Sequence, residues 1–274
     1  MALRQHQRPD SWEAKTSGTA KYTTDLHLPG TLTARVLRSP HPHAEIRSIN
    51  TSRAQSLPGV EAVITAADLA GRRYIHLGEG FSDRRALASD RVRFVGEEVA
   101  AVAAETPEAA ARAIELIQVE YKKLPASESP TAALRAGAEK LHHHADGNLA
   151  LNISRTYGDI EQARQRSDTR ISGSYRYAPA THLCMEPHSI VASWDSHKQR
   201  IDLWVSTQAP YFVRKEVANI LELDIEQVHT HEVAVGGGFG AKAKAGTHEA
   251  LAAALSIRTN RPVRLVLDRG EEFT

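Results

Sequence analysis

The run VHTHEVAVGGGFGAKAKAG, residues 228–246, sets glycine at 236, 237, 238 and 240 between an apolar, strand-like stretch and an alanine-rich segment. A bare loop between a buried strand and a helix exposes consecutive backbone N–H groups near the helix N-terminus, where unpaired donors and the dipole favour anions. Missing side chains also let a flat or bulky ligand approach the main chain. A tight turn or close strand–helix packing is met by one or two glycines. Four in five positions point to an anionic or planar ligand.

Two nucleotide motifs can be tested against this loop. In a P-loop starting at Gly236 the second glycine would fall on Ala241 and the hydroxyl on Ala243, so only Gly236 and Lys242 fit, and nothing would meet magnesium. A dinucleotide fingerprint fits better, with Gly236, Gly238 and Ala241 before a helix and Asp268 closing the next strand. Asp268 stands far along for a ribose-binding acid, and little chain follows it to complete a doubly wound sheet.

The 274 residues, 41% hydrophobic, suffice for one large or two ordinary domains. With 34 Lys plus Arg against 33 Asp plus Glu, no positive excess is available to neutralise a phosphate backbone, which argues against nucleic acid. Neither a signal peptide nor a membrane span is expected, and the location reads as cytoplasmic. The single cysteine, Cys184, excludes an internal disulfide and a thiolate cage for zinc or an iron–sulfur cluster. His142, His143 and His144 read as an exposed loop. His229 and His231 share a strand face that could hold a metal, although a solvated face is the commoner outcome.

A mixed α/β (α+β) fold is expected. Strand-like runs LTARVLRS, AEIRSI, VEAVITAADL, VRFVGEEVAAVAAE and QVEYKKLP surround one well-marked helix, in which Thr106 caps, Pro107 opens and Ala110, Ala113, Ile114 and Ile117 recur at helical spacing. Further on, TRISGSYRY, HSIVASWD, RIDLWVST, EQVHTHEVAV and PVRLVLD read as strands, with helices over 209–221 and about 247–258. The expected division is an N-terminal extension over 1–15, an α/β domain over 16–128, a linker over 129–150 and a second domain over 151–274. That second domain reads as only begun, since its last strand nearly closes the sequence.

The stretch GGGFGAK, with STQAP upstream of it, resembles the molybdopterin-binding subunit of the xanthine dehydrogenase and aldehyde oxidase family. The likeness extends to GTAKYTTDLHLPGTLTARVLRSPHPHAEI, LPGVEAVITAADL and VGEEVAAVAAETPEAA, which look like that family's hammerhead α/β domain. HLCMEPHSIVASWD, LWVSTQAP and RPVRLVLDRGEEF are similar to the opening of its mixed α/β cofactor-binding domain. The resemblance implies a molybdenum–molybdopterin cofactor, in bacteria often the cytosine dinucleotide form, with the metal held by the pterin dithiolene and by no protein side chain. It implies that Gly237, Gly238, Phe239 and Gly240 hold the pterin and the molybdenum oxygens. Phe239 would wall the cofactor from water, or alternatively pack in the core. Gln208 would carry the catalytic hydrogen bond to an oxygen on molybdenum, an amide being able to donate without adding charge. Glu186 reads as structural.

The implied reaction is hydroxylation of an aldehyde or aromatic N-heterocycle with oxygen from water. Electrons would leave through an iron–sulfur subunit to an FAD-binding subunit. The family's glutamate base has no counterpart here, since Glu97, Glu98, Glu271 and Glu272 lie in segments matching other parts of the pattern, so the general base stays unknown. A second molybdopterin-binding chain would have to supply it. Where purine-oxidising members carry a glutamate after GGGFGxK this sequence has Ala243, which disfavours xanthine; the CSFR insertion of carbon monoxide dehydrogenases is absent from this stretch. A split or shortened large subunit is thus the leading reading. A dinucleotide-binding protein using Gly236 and a non-catalytic docking module are the alternatives.

Overall fold

The computed structural model describes residues 11–75 and 82–274, so residues 1–10 of the expected N-terminal extension lie outside the described residues. The elements begin with α1 (Ser11–Thr16), β1 (Leu32–Arg38), β2 (Ala44–Asn50), α2 (Ser52–Gln55), β3 (Val60–Thr65), β4 (Arg91–Val92) and β5 (Glu98–Ala104). They continue with α3 (Pro107–Leu116), β6 (Gln118–Lys123), α4 (Pro130–Ala133), α5 (Ile160–Arg166), β7 (Ser189–Asp195) and β8 (Arg200–Val205). Last come α6 (Pro210–Leu221), β9 (Val228–His231), α7 (Thr247–Thr259) and β10 (Val263–Val266).

The strands form a seven-stranded mixed sheet, ordered β3-β5-β1-β10-β7-β8-β9, and a three-stranded sheet, β4-β2-β6. In the larger sheet β1 pairs in parallel with β10, Leu32 opposite Val263, and β10 pairs antiparallel with β7. Strands on both sides of the expected linker therefore share one hydrogen-bonded ladder. Packing groups the residues up to 126 with 182–274 as one compact unit and 127–181 as another.

β5 is buried along its whole length, and its small side chains let neighbours approach both faces. Ala101 and Ala103 enter the main core, whereas Ala100 and Val102 face a second cluster that includes Ala54 and Ala113, the period of two expected of a strand. α3 starts where its cap dictates: the Thr106 hydroxyl accepts from the N–H of Ala109 at 3.1 Å, and Pro107 fills the first turn. α7 is buried over most of its length, with Leu251 and Leu255 in the main core, and it ends at Asn260 in the left-handed conformation.

Two expected strands differ in the structure. TRISGSYRY, residues 169–177, forms no strand; Ile171, Tyr175 and Tyr177 are exposed, and no neighbouring strand among the described residues completes a ladder for its backbone. EQVHTHEVAV yields only β9, because a 3-10 turn at Ile225–Gln227 occupies its start and after His231 only Ala234 pairs, as an isolated bridge to Tyr22. In the 127–181 unit the histidine triplet lies in turns stapled by Asn148, whose side chain accepts from the N–H of Leu141 and donates to the carbonyls of Ala133 and Glu139.

The sheet order removes the dinucleotide alternative. A dinucleotide-binding unit places the strand before its glycine loop beside the strand after its helix. Here β7 and β8 separate β9 from β10, and six residues, 241–246, intervene between Gly240 and the start of α7.

Candidate functional site

The glycine loop leaves the sheet beyond β9 and reaches α7 through a tight set of turns. Two of its glycines are bare because the chain's own side chains crowd them: a Cβ at Gly236 would run into Glu186, and one at Gly238 into Gln208. The other two take backbone angles that side chains disfavour, with φ of +102° at Gly237 and +96° at Gly240.

Between them Phe239 also adopts a left-handed conformation, φ +49°, although it carries a Cβ; such a residue gives up roughly 1–2 kcal/mol. The alternative expectation, that Phe239 packs in the core, fails, since the residue is 76% exposed. A strained backbone that holds an aromatic ring out of the core is a common mark of a ligand site. The N–H groups of Gly237, Gly238 and Phe239 meet no acceptor among the described residues, so three successive donors remain unclaimed beside that ring.

Gln208 is brought to this loop. Its N–H donates to the carbonyl of Lys242 at 2.9 Å, and its side-chain Oε1 accepts from the N–H of Gly240 at 3.1 Å. With Oε1 engaged, the amide Nε2 retains its donors for a group seated on the loop. The structure thus gathers Gln208, Gly237, Gly238, Phe239 and Gly240.

Beneath the loop lies a network whose key member the sequence reading missed. Lys242, fully buried, donates to the Glu186 carbonyl at 3.0 Å, to Oε2 of Glu186 at 2.9 Å and to Oγ of Ser206 at 2.7 Å. Oε2 of Glu186 also accepts from the N–H of Gly236 at 2.7 Å and from Ser206 Oγ at 2.5 Å. One ion pair therefore fixes both ends of the glycine loop. The only signal in the sequence was a lysine, one of two, in a run of glycine and alanine. Arg269 anchors the segment carrying Glu186 by donating to the carbonyls of Cys184 and Met185, and Sγ of Cys184 lies 3.5 Å from the Gly238 carbonyl.

The four glutamates considered and set aside as a base are all engaged elsewhere. Burial raises the Glu98 carboxyl, but the Arg84 and Arg38 guanidiniums outweigh it and hold it below its usual value. Glu271 bonds Arg38 at 2.9 Å, Glu272 pairs with His188 at 3.0 Å, and Glu97, raised by burial, accepts from the N–H of Arg93. His229 and His231 do not combine: His229 Nε2 meets the Glu226 carbonyl, while His231 Nε2 lies 2.7 Å from Asp202 Oδ1 and its ring stacks on Trp204. Among the described residues no cluster of three or more His, Cys, Asp or Glu side chains is arranged to hold a metal, and no helix is long and apolar enough to cross a membrane.

Comparison with known proteins fits this geometry. Residues 17–125 match the model of the aldehyde oxidase and xanthine dehydrogenase a/b hammerhead domain, and residues 141–274 match that of the molybdopterin cofactor-binding domain. A probable xanthine dehydrogenase subunit of Bacillus subtilis (strain 168) is 39% identical over 96% of this chain and 34% of its own length. The nicotinate dehydrogenase large molybdopterin subunit of Eubacterium barkeri is 34% identical over 97% of this chain and 61% of its own. Among solved structures, quinoline 2-oxidoreductase from Pseudomonas putida 86 superposes with a TM-score of 0.89 at 36% identity, over 96% of this chain and 34% of that one. The chain thus spans between about a third and three-fifths of the length of these relatives.

Proposed function

Because this chain belongs to the xanthine dehydrogenase and aldehyde oxidase family, we propose that its glycine loop and Gln208 hold the head of a molybdenum–molybdopterin cofactor in a hydroxylase of aldehydes or aromatic N-heterocycles. The observation that carries this reading is the row of three unclaimed N–H groups at Gly237, Gly238 and Phe239, flanked by the free amide end of Gln208. Such donors suit an anionic, oxygen-rich group, and their glycine backbone admits a flat one.

A cofactor of this kind supplies two-electron oxidation with water as the source of oxygen. The chain's own residues bind, orient and shield. Gln208, its carbonyl end tied to Gly240, aims neutral donors at the cofactor head without titrating. Phe239 shields that head from water with its exposed ring. Glu186 and Lys242 hold the loop's two ends so that the donors stay preorganised. Ala243, exposed beside the loop, offers no carboxylate to anchor a purine, and kinship with proteins named for nicotinate and quinoline favours a pyridine-type heterocycle.

The same reading gives the cofactor a cytosine dinucleotide form and the subunit a cytoplasmic location. Iron–sulfur and FAD-binding subunits are its partners, and a carboxylate base comes from polypeptide beyond these residues. Molybdenum and pterin analysis of the protein purified with its natural companions tests the core of it. Near one molybdenum per chain, with cytidine monophosphate released on acid hydrolysis, is expected. Molybdenum-free protein from cells that load other hydroxylases would overturn the reading.

A further inference from the structure

Past the glycine loop, at the start of α7, the same compact unit contains an open cleft of about 350 Å³. Ala241 is its only contribution from residues 236–241; the rest of its wall comes from residues 244–248 and from side chains of other elements, most of them charged. α7 has 13 residues and is preceded at its N-cap by Gly246, which has no side chain to cap it. The N–H groups of Thr247 and His248, in its first turn, have no acceptor among the described residues.

A second feature points to a ligand. His248 is 4% exposed, yet it lines the cleft and its Nε2 has no hydrogen-bond partner among the described residues. Its other nitrogen, Nδ1, stands 3.3 Å from Oε2 of Glu249, close enough for polar attraction though too oblique for a hydrogen bond. Burial pushes Glu249 up to about 7 and holds the imidazole neutral. In the tautomer with its proton on Nε2, the ring is a buried donor without an acceptor among the described residues.

The cleft wall carries three cations, Arg38, Arg84 and Lys244, and three carboxylates, Glu98, Glu271 and Glu272. Arg38 is bonded to Glu98 and Glu271, Arg84 to Glu98, and Glu272 to His188, so these carboxylates are already met. The exposed Lys244 makes no ion pair among the described residues. We propose that this cleft is an oxyanion site that takes inorganic phosphate or a phosphomonoester between the Lys244 ammonium, the first N–H groups of α7 and Nε2 of His248. An oxyanion accepts from every donor these groups present, and the positive end of the helix favours it.

Titration of the cofactor-free chain tests this site, which therefore stands or falls apart from the cofactor reading. Inorganic phosphate is titrated at neutral pH by calorimetry, and by nitrogen chemical shifts of His248, against sodium chloride at matched ionic strength. Saturable binding that shifts Nε2 is expected. Lys244→Ala, a surface change, should weaken it about tenfold, as the loss of one charge-assisted hydrogen bond does. His248→Leu, which removes the donor and keeps the bulk, should weaken it at least as much; if that variant does not fold, Lys244→Ala carries the test. A response no different from that to chloride, or phosphate binding unchanged by Lys244→Ala, would overturn the site. The same titration of cofactor-loaded protein identifies the source of the anion: binding that persists marks a free anion, and a site already filled marks a phosphoryl group carried on the cofactor.

Discussion

Nζ of Lys242 lies 2.9 Å from Oε2 of Glu186, with the lysine fully buried and only 8% of the glutamate side chain exposed. Removing one partner strands the other charge away from water, which costs about 3–5 kcal/mol, whereas replacing both with apolar groups of similar size is close to neutral. Lys242→Met should therefore lose on that order of stability in urea unfolding, and Lys242→Met with Glu186→Leu should recover most of it. Recovery by the double variant without recovery of molybdenum content would separate the loop-holding role from mere folding.

Gly238→Ala tests the crowding of Gln208. The added Cβ would force the Gln208 side chain away and break its bond to Gly240. The exposed site can relax, so a stability loss of only about 1–2 kcal/mol is expected in thermal unfolding. Molybdenum per chain should fall severalfold. Unchanged loading would show that the contact between Gln208 and the loop is not needed for the cofactor.

Phe239→Gly should leave the chain as stable as before or up to about 1 kcal/mol more so, because glycine relieves a left-handed conformation. A core phenylalanine would lose about 3–5 kcal/mol on truncation to alanine. Denaturant midpoints of Phe239→Gly and Phe239→Ala tell the two situations apart.

The pH dependence of stability should expose two opposed titrations in the first turn of α7. Burial raises Glu249 from 4.5 to about 7, so the folded chain holds a proton that the unfolded chain has lost, and stability falls as pH rises across that window. Its full size is on the order of 3 kcal/mol. Burial depresses His248 below 6.5, so below that pH the unfolded chain binds the extra proton and stability rises with pH. Glu249→Gln should therefore be more stable than the parent at pH 8 and keep only the rising limb below pH 6.5. Urea titrations across pH 5–8 measure both limbs.

What the sequence made legible was local chemistry. Thr106 and Pro107 marked the start of α3, and the glycine cluster marked the loop, because capping and bare backbone act over a few residues. Gln208 could be attached to the loop only through the family resemblance, since nothing in its immediate neighbours distinguishes it from a solvated glutamine. The Lys242–Glu186 pair, separated by 56 positions, has no local signature at all. TRISGSYRY alternates like a strand, but whether alternation becomes a strand depends on a neighbour, which periodicity cannot supply. The placement of β10 between β1 and β7 was likewise invisible, because sheet order is decided by contacts between distant segments.

The parallel pairing of Leu32–Ala34 with Val263–Leu265 has a consequence for biosynthesis. A ribosome releases β1 long before its partner, so that edge stays open until the far segment has emerged and closed a very large loop. During that interval a row of unpaired amides is free to bind the wrong strand. Nascent chains of this protein should therefore lean on chaperones until residues 263–266 have emerged.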